Sequence, residues 1–168
     1  LENTDTQLVG SLVSDPDFIA HPESVRLKGH MSPHAASELE GFVIELSKIS
    51  APPQSTRPLI IEGAGGVFAP LSRQKLVVDL ISQLEASVVF VSKNYLGSIN
   101  HSLLSLEALK QREIKVLGII FNGPRNQASE EMILGYAGLT CLGYFEQLTK
   151  IDQHSIALAA RNLRLSDE

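Results

Sequence analysis

The feature that most constrains the fold is an alternation of short apolar segments with longer amphipathic segments, which begins at Pro58. In order, these segments read PLIIE, SRQKLVVDLISQLEA, SVVFVSK, SINHSLLSLEALKQRE and IKVLGIIFNG. The short segments are rich in β-branched residues, whereas the long ones carry apolar residues at helical spacing. Because the short segments are apolar at successive positions, they are typical of parallel strands covered by helices on both faces. The pattern therefore predicts an α/β fold built on a mostly parallel sheet.

Further elements are predicted on either side of this alternation. Ser32 is a good N-cap and Pro33 suits the first helical position, so a helix is expected from there through Leu46. Downstream, a helix capped near Ser129 carries two acidic residues in its first turn. The sequence TCLGYF that follows is typical of one more short strand.

Length and composition indicate the class of protein. A chain of 168 residues with 43% hydrophobic and 20% charged residues suits one globular unit, so residues 1–168 are expected to form a single α/β domain. The net charge is −5 and the basic residues are scattered, which argues against a nucleic-acid partner. Cys141 is the only cysteine and no apolar run approaches the ~20 residues that cross a bilayer. We therefore expect no internal disulfide, no membrane partner and a cytoplasmic location.

Polar or glycine-rich loops follow three of the predicted strands. The sequence EGAGG follows the first strand, KNYLGSINH the second and FNGP the third. The carboxyl ends of parallel strands meet at one edge of a sheet, and ligands of open α/β sheets bind beyond that edge. These three loops are therefore the predicted site.

Glu62 is a carboxylate that directly follows an apolar strand and precedes three glycines. A charge at the end of a buried strand is costly unless it is paired, and Mg²⁺ takes carboxylate oxygens together with water and phosphate oxygens. Glu62 is therefore a candidate metal ligand, the alternative being a turn in which it accepts hydrogen bonds from nearby amides. Asp5 also has two interpretations: it is either a metal ligand or part of a helix N-terminus at which Thr4 or Asp5 is the cap.

The loops after the second and third strands offer other polar groups. Gly97 and Ser98 precede a predicted helix whose free N–H groups favour a carboxylate or phosphate, although Ser98 also suits an ordinary N-cap. Asn100 in the first turn is a further donor to such an anion. The amide of Asn122 both donates and accepts, which suits the edge of a nucleobase, the alternative being an Asx turn before Gly123.

In their order, the segments NTD, SPHAASELEG, IEGAGGVFAPLS, NYLGSINH and FNGP resemble the dethiobiotin synthetase family, the ATP-dependent ligases that make the penultimate intermediate of biotin. The resemblance extends from about Asn3 to Phe145. The spacing of EGAGG-x-x-x-P and LGxxNH is specific to that family, whereas EGAG alone also occurs in amidotransferase-type synthases of the cobalamin pathway. The resemblance implies a P-loop NTPase-like sheet and the activity of a ligase.

The resemblance also implies a reaction and a set of site residues. Family members add CO₂ to 7,8-diaminononanoate, phosphorylate the carbamate with MgATP, and close the ureido ring when the second amine displaces phosphate. ATP and Mg²⁺ are thus the implied cofactors, the diamine and CO₂ the substrates, and a homodimer with sites at its interface the assembly. By the family pattern, Asp5 and Glu62 hold Mg²⁺, and Ser32 and Gly65 line the diamine. The far carboxylate of the substrate is bound from the other subunit, by the backbone of Gly97, Ser98 and Ile99 together with Asn100. The adenine is bound by Asn122 and Gly123.

The family's phosphate loop, GTDTxxGKT, and a second lysine after the next strand have no counterpart in this sequence. We therefore expect a chain that lacks its N-terminal strand and phosphate loop, so that the catalytic lysines lie upstream and no catalytic residue is assigned here. Two other interpretations stay open: a non-catalytic family member that acts as a dimeric small-molecule-binding module, and a cobyrinate-type synthase domain. The sequence LGSINH argues against the second of these.

Overall fold

A computed structural model of the protein describes residues 4–53 and 57–164. Six α-helices and three β-strands are present in these ranges. The helices are α1 (Asp5–Leu12), α2 (Pro33–Leu39), α3 (Val77–Gln83), α4 (Ser98–Lys110), α5 (Gln127–Ala137) and α6 (Gln153–Ala160), and a short 3₁₀ turn spans Leu46–Lys48. The strands are β1 (Val88–Lys93), β2 (Val116–Asn122) and β3 (Cys141–Phe145). Within these ranges, no helix is both long and apolar enough to span a membrane.

The three strands form one parallel sheet in the order β1–β2–β3. Parallel neighbours need a crossover connection, and α4 supplies it between β1 and β2 while α5 supplies it between β2 and β3. This arrangement confirms the predicted α/β class, and the βαβ pattern from β1 to β2 appears where the sequence placed it.

The contacts of the chain divide it into two compact units. The first comprises residues up to 22, residues 88–106 and residues from 116 onward, and the second comprises residues 23–87 and 107–115. The first unit therefore contains the whole sheet, whereas the second contains α2 and α3. The single domain over 1–168 stays a prediction.

In the first unit the core lies on one face of the sheet. Ile119 and Phe121 alternate along β2, so both point to the same face, where they pack with Leu106 of α4 and Ile133 of α5. All four side chains are buried. This core fixes the sheet against its two crossover helices.

The second unit has a smaller aliphatic core. Its buried members are Ile44, Leu46, Leu71 and Val77, with Leu80 of α3 packed against them. Leu46 belongs to the 3₁₀ turn rather than to a long helix. The helix predicted from Ser32 through Leu46 is therefore wrong beyond Leu39, because Gly41 adopts a left-handed backbone conformation that ends it.

The predicted first strand, PLIIE, is also wrong. Residues 58–62 form no strand, and Ile60 is 89% exposed. A strand is stabilised by pairing with a neighbour, and among the described residues no backbone hydrogen bond joins this segment to another strand. The apolar composition alone was therefore not enough to specify a strand here.

Two helices in the second half of the chain also differ from expectation. The cap of α5 lies three residues before the predicted one, because Asn126 caps the helix by accepting a hydrogen bond from the Ser129 N–H. The α6 helix was not predicted. It begins after Asp152, whose carboxylate accepts a hydrogen bond from the Ser155 N–H.

Candidate functional site

The carboxyl edge of the sheet brings the ends of its three strands into one row. Asn122 is the register partner of Lys93 on β1 and of Phe145 on β3. The Gly123 N–H donates to the Phe145 carbonyl at 2.8 Å. Gly123 has a φ of +99°, a conformation that side-chain-bearing residues rarely adopt. The turn after β2 therefore needs glycine, and it leaves the Asn122 side chain exposed.

A buried carboxylate forms hydrogen bonds with the residues that follow this turn. Glu130 on α5 is 1% exposed and receives hydrogen bonds on both carboxylate oxygens. Oε1 accepts from the Asn94 amide and the Asn126 N–H, each at 2.8 Å. Oε2 accepts from Nε of Arg125 at 2.9 Å, and Nη2 of the same guanidinium lies 2.8 Å from Oε2. Glu130 therefore joins the loop after β1 to the loop after β2.

The pKa of Glu130 reflects two opposing causes. Burial by itself raises the pKa of a carboxyl group, because it disfavours the charged form. The hydrogen bonds from Arg125, Asn126 and Asn94 favour the charged form and outweigh burial, so the pKa of Glu130 lies below its ordinary value. Glu130 is therefore an anion at neutral pH, and the network depends on that charge.

Asn94 connects the two loops through a single amide group. Its Nδ2 donates to the Pro124 carbonyl at 3.0 Å and to Glu130. Its Oδ1 is buried and has no hydrogen-bond partner within residues 4–53 and 57–164. An unsatisfied buried acceptor costs about 1–3 kcal/mol. The two hydrogen bonds that Nδ2 donates therefore hold the side chain in place despite the penalty for the unpaired Oδ1.

Arg125 is held on two sides. Its guanidinium pairs with Glu130 and also lies over the ring of Tyr144, which in turn stacks on Phe121 with ring centroids 5.8 Å apart. Phe121 belongs to the buried core. A continuous stack thus runs from the core to the surface beside the turn after β2.

The start of α4 carries the residues predicted to bind a carboxylate. Gly97 has a φ of +100° and Ser98 is buried, whereas Asn100 is exposed. Ile99 packs against the core of the first unit, so only its backbone is available at the helix terminus. The His101 N–H donates to the Gly97 carbonyl, which closes the first turn of the helix.

The other predicted ligand residues of the first unit lie at the start of α1. Thr4 is the N-cap: its hydroxyl oxygen accepts from the Gln7 N–H and its own N–H donates to the Gln7 side chain. Asp5 is the first helical residue and is exposed. Of the two candidates for the cap, Thr4 therefore takes that role, and the Asp5 carboxylate is not needed for it.

Three predicted site residues belong to the second unit. Glu62 is exposed, which removes the premise that its charge ends a buried strand. Gly65 has a φ of +80°, and a Cβ there would lie 2.9 Å from the Ala69 side chain, so glycine is required by the backbone alone. Ser32 is the N-cap of α2 but makes no side-chain capping bond. In the described part of the chain, no group of three or more His, Cys, Asp or Glu side chains is placed to hold a metal.

A cavity of about 210 Å³ lies beside α2 in the second unit. Nδ1 of His34 is buried there without a hydrogen-bond partner among the described residues. Glu38 and Arg73 form an exposed ion pair at 2.7 Å on its rim. The cavity is lined by His34, Ser37, Glu38, Val43, Ser72, Arg73 and Gln74. Neither Ser32 nor Gly65, the two residues predicted to line the diamine, contributes to it.

The sequence does not single out the polar group of the site that accepts the most side-chain and backbone hydrogen bonds. It indicates Glu130 only as an acidic residue in the first turn of a helix, and it does not distinguish Asn94 or Arg125 from other polar loop residues. The signal that was present is modest: an asparagine follows β1, and an Arg–Asn pair precedes an acidic helix start after β2. Pairing these positions requires the sheet register, which the sequence does not give.

Nearly the whole chain is similar to proteins of one kind. A family model described as an AAA domain matches residues 1–155. The ATP-dependent dethiobiotin synthetase BioD of Cytophaga hutchinsonii is 45% identical over 97% of this chain and 79% of its own length. The protein of the same name from Christiangramia forsetii is 40% identical over 98% of this chain and 78% of its own length. The biotin biosynthesis bifunctional protein BioCD of Bordetella avium is 34% identical over 99% of this chain and 36% of its own length.

Proposed function

Since this chain belongs to the ATP-dependent dethiobiotin synthetase family, we propose that it converts 7,8-diaminononanoate, CO₂ and ATP into dethiobiotin, ADP and phosphate. It is an ATP-dependent ligase of biotin biosynthesis. The observation that carries the proposal is the 45% identity to the Cytophaga hutchinsonii synthetase, which extends over 97% of this chain. The relatives reported above are named as synthetases or as a biotin biosynthesis protein, and these names favour the synthetase over the two alternative interpretations, the non-catalytic module and the cobyrinate-type synthase.

The reaction has three steps. One amine of the diamine attacks CO₂ and loses a proton, which gives a carbamate. A carbamate oxygen then attacks the γ-phosphorus of ATP, so that ADP leaves and a carbamoyl phosphate forms. The second amine attacks the carbamoyl carbon, the C–O bond to phosphate breaks, and the five-membered ureido ring closes with loss of a proton.

We assign the nucleobase to the turn after β2. Asn122 is exposed at the carboxyl edge of the sheet, and its amide offers both a donor and an acceptor to the edge of adenine. The glycine conformation at position 123 brings the backbone of this turn close to a ligand without an intervening side chain. These two features support the roles of Asn122 and Gly123 in nucleotide binding.

We assign Mg²⁺ to the carboxylates of Asp5 and Glu62. Both residues are exposed, and no side chain among the described residues forms a hydrogen bond or ion pair with either carboxylate. Carboxylate oxygens are ligands that Mg²⁺ accepts alongside water and phosphate oxygens, so each of the two side chains is by its chemistry a suitable ligand. When bound, the ion would neutralise charge on the phosphates of ATP.

We assign the far carboxylate of the diamine to the start of α4, in a homodimer whose sites lie at the subunit interface. The free N–H groups and the dipole at a helix N-terminus favour an anion, and Asn100 is exposed beside them as a further donor. Ser32 and Gly65 are assigned to the rest of the diamine on the family pattern. The positive φ of Gly65 already requires glycine at that position, whether or not a ligand binds there.

The test is an assay of the complete protein with diamine, bicarbonate, ATP and Mg²⁺. Mass spectrometry should detect dethiobiotin, and ADP should form in equal amount. The Cytophaga hutchinsonii synthetase, assayed under the same conditions, is the positive control for the substrates and the detection of product. Product from that enzyme and none from this protein would contradict the proposed function.

A further inference from the structure

Two side chains from outside the turn after β2, those of Glu130 and Asn94, form hydrogen bonds with it. Glu130 accepts the Asn126 N–H and the Arg125 guanidinium, and Asn94 donates to the Pro124 carbonyl. Pro124, Arg125 and Asn126 each therefore form a hydrogen bond with the carboxylate of Glu130 or the amide of Asn94. Both anchors lie outside the turn, one on α5 and the other directly after β1.

From this arrangement we propose that Glu130 and Asn94 are positioning residues of the nucleotide site, which hold the turn over residues 122–126 so that it presents Asn122 and Gly123 to the nucleobase. The inference rests on the proposed function of that turn. It adds two residues that need not touch the nucleotide, and a means by which the loop after β1 controls the loop after β2.

The network is more than the ordinary start of a helix. Asn126 already caps α5 through the Ser129 N–H, and the Glu130 N–H already donates to the Asn126 carbonyl as part of the helix. The carboxylate of Glu130 adds to this cap by accepting the Asn126 N–H, and it also binds the Arg125 guanidinium and the Asn94 amide, which an ordinary cap does not involve. Its side chain turns back toward the N-terminus of the helix, as long helical side chains do, and meets the turn that precedes it.

The conformation that is held is one that the backbone does not favour strongly on its own. Gly123 adopts a φ of +99°, and glycine is the residue with the most conformational freedom to lose. Without anchors, the turn would populate other conformations in which the Asn122 amide points elsewhere. Because only the correctly placed fraction can bind, the apparent affinity for nucleotide falls with that fraction.

The test uses steady-state kinetics of the complete protein with ATP and, separately, GTP as the phosphate donor. Asn94→Ala removes the donor to the Pro124 carbonyl, and Glu130→Gln places an amide against the Arg125 guanidinium. Each variant should raise the KM for ATP on the order of 10-fold, while kcat and the KM for the diamine stay within about twofold. The preference for ATP over GTP should fall as well, because a misplaced Asn122 reads the base less well.

Two further variants sharpen the result. Glu131→Gln removes the same charge from the neighbouring, exposed position on α5, and it should leave every parameter unchanged. The double variant Asn94→Ala/Glu130→Gln should resemble the more severe single variant, because both anchors act on one turn. A calorimetric Kd for a non-hydrolysable ATP analogue should follow the KM for ATP.

The inference is overturned if both single variants are less stable than the wild type but keep its KM for ATP and its ATP preference within twofold. If Glu130→Gln is recovered unfolded, Asn94→Ala decides alone, because the carboxylate then keeps its bonds from Arg125 and Asn126. A wild-type protein that makes no dethiobiotin contradicts the proposed function instead. The two failures are therefore separate observations.

Discussion

The guanidinium carbon of Arg125 lies 3.4 Å from the centre of the Tyr144 ring. At this distance the cation contacts the negative face of the ring, an interaction worth about 0.5–2 kcal/mol depending on exposure. The guanidinium is held there because it is also paired with Glu130. The aromatic ring and the carboxylate therefore fix one arginine from two directions.

Removing the ring of Tyr144 should destabilise the protein. Tyr144→Leu should lower the free energy of unfolding by about 1–2 kcal/mol, since it loses the contact with Arg125 and the stacking on Phe121. Tyr144→Phe is the matched control because it keeps the ring, and it should remain within about 0.5 kcal/mol of the wild type. Urea unfolding measures both, and equal losses in the two variants would show that the hydroxyl matters rather than the ring.

Stability should depend on pH through Glu130. Its pKa is lower in the folded protein than the ordinary value of 4.5, so the unfolded chain binds the proton more readily. The stabilisation is therefore complete above the ordinary carboxyl pKa and is lost as the pH falls through the folded-state pKa. At pH 7 the wild type should exceed Glu130→Gln by roughly 2 kcal/mol, and this difference should shrink below about pH 4.5.

Urea titrations between pH 7 and pH 3 measure that difference. Glu131→Gln should match the wild type at every pH, because Glu131 is exposed. A gap between the wild type and Glu130→Gln that stays constant over this range would show that the charge of Glu130 does not contribute to stability.

Gly65 and Gly66 form a natural matched pair. A Cβ at Gly65 would lie 2.9 Å from the Ala69 side chain at a φ of +80°, whereas a Cβ at Gly66 meets nothing within 4 Å. Gly65→Ala should therefore lower the free energy of unfolding by about 1–3 kcal/mol, and Gly66→Ala should leave it nearly unchanged. Thermal unfolding without substrate checks this, and equal melting temperatures for the two variants would contradict the steric argument.

The metal assignment predicts a large loss of turnover in Glu62→Gln. This variant keeps the shape of the side chain but removes one charge from a cation site, so kcat should fall on the order of 10²-fold or more. The concentration of Mg²⁺ needed for half-maximal activity should rise. Glu45→Gln is the control, since Glu45 is an exposed carboxylate paired only with Lys48 among the described residues. Activity of Glu62→Gln within threefold of the wild type would remove Glu62 from the site.

A homodimer with shared sites predicts complementation between two inactive variants. Glu62→Gln and Asn100→Leu should each impair the complete protein, yet a mixed dimer would contain one site with both lesions and one site with neither. Random exchange of equal amounts makes about half of the dimers mixed, so roughly a quarter of wild-type activity should return. No recovery after demonstrated subunit exchange would place Asn100 in the site of its own chain or outside the site.

The elements that could be predicted from sequence are those whose signals are local. The β1, α4 and β2 elements follow from apolar runs and helical spacing, whereas residue type narrows the cap of α1 to Thr4 or Asp5 without choosing between them. Leu59 to Ile61 has the composition of a strand, but a strand also requires a partner, which composition does not supply. One of the hydrogen-bond donors to the buried Glu130 is Asn94, which is 36 residues away in the chain, so no local pattern reveals that contact.

The contact between α1 and α6 has a consequence for the order of events during protein synthesis. The Gln153 amide donates to the carbonyls of Ser11 and Val13 at the end of α1, across 142 and 140 residues of sequence. At about 5–20 residues per second on the ribosome, the partner of α1 emerges roughly 7–28 s after α1 itself. The end of α1 therefore acquires these two hydrogen bonds only after translation has passed Gln153.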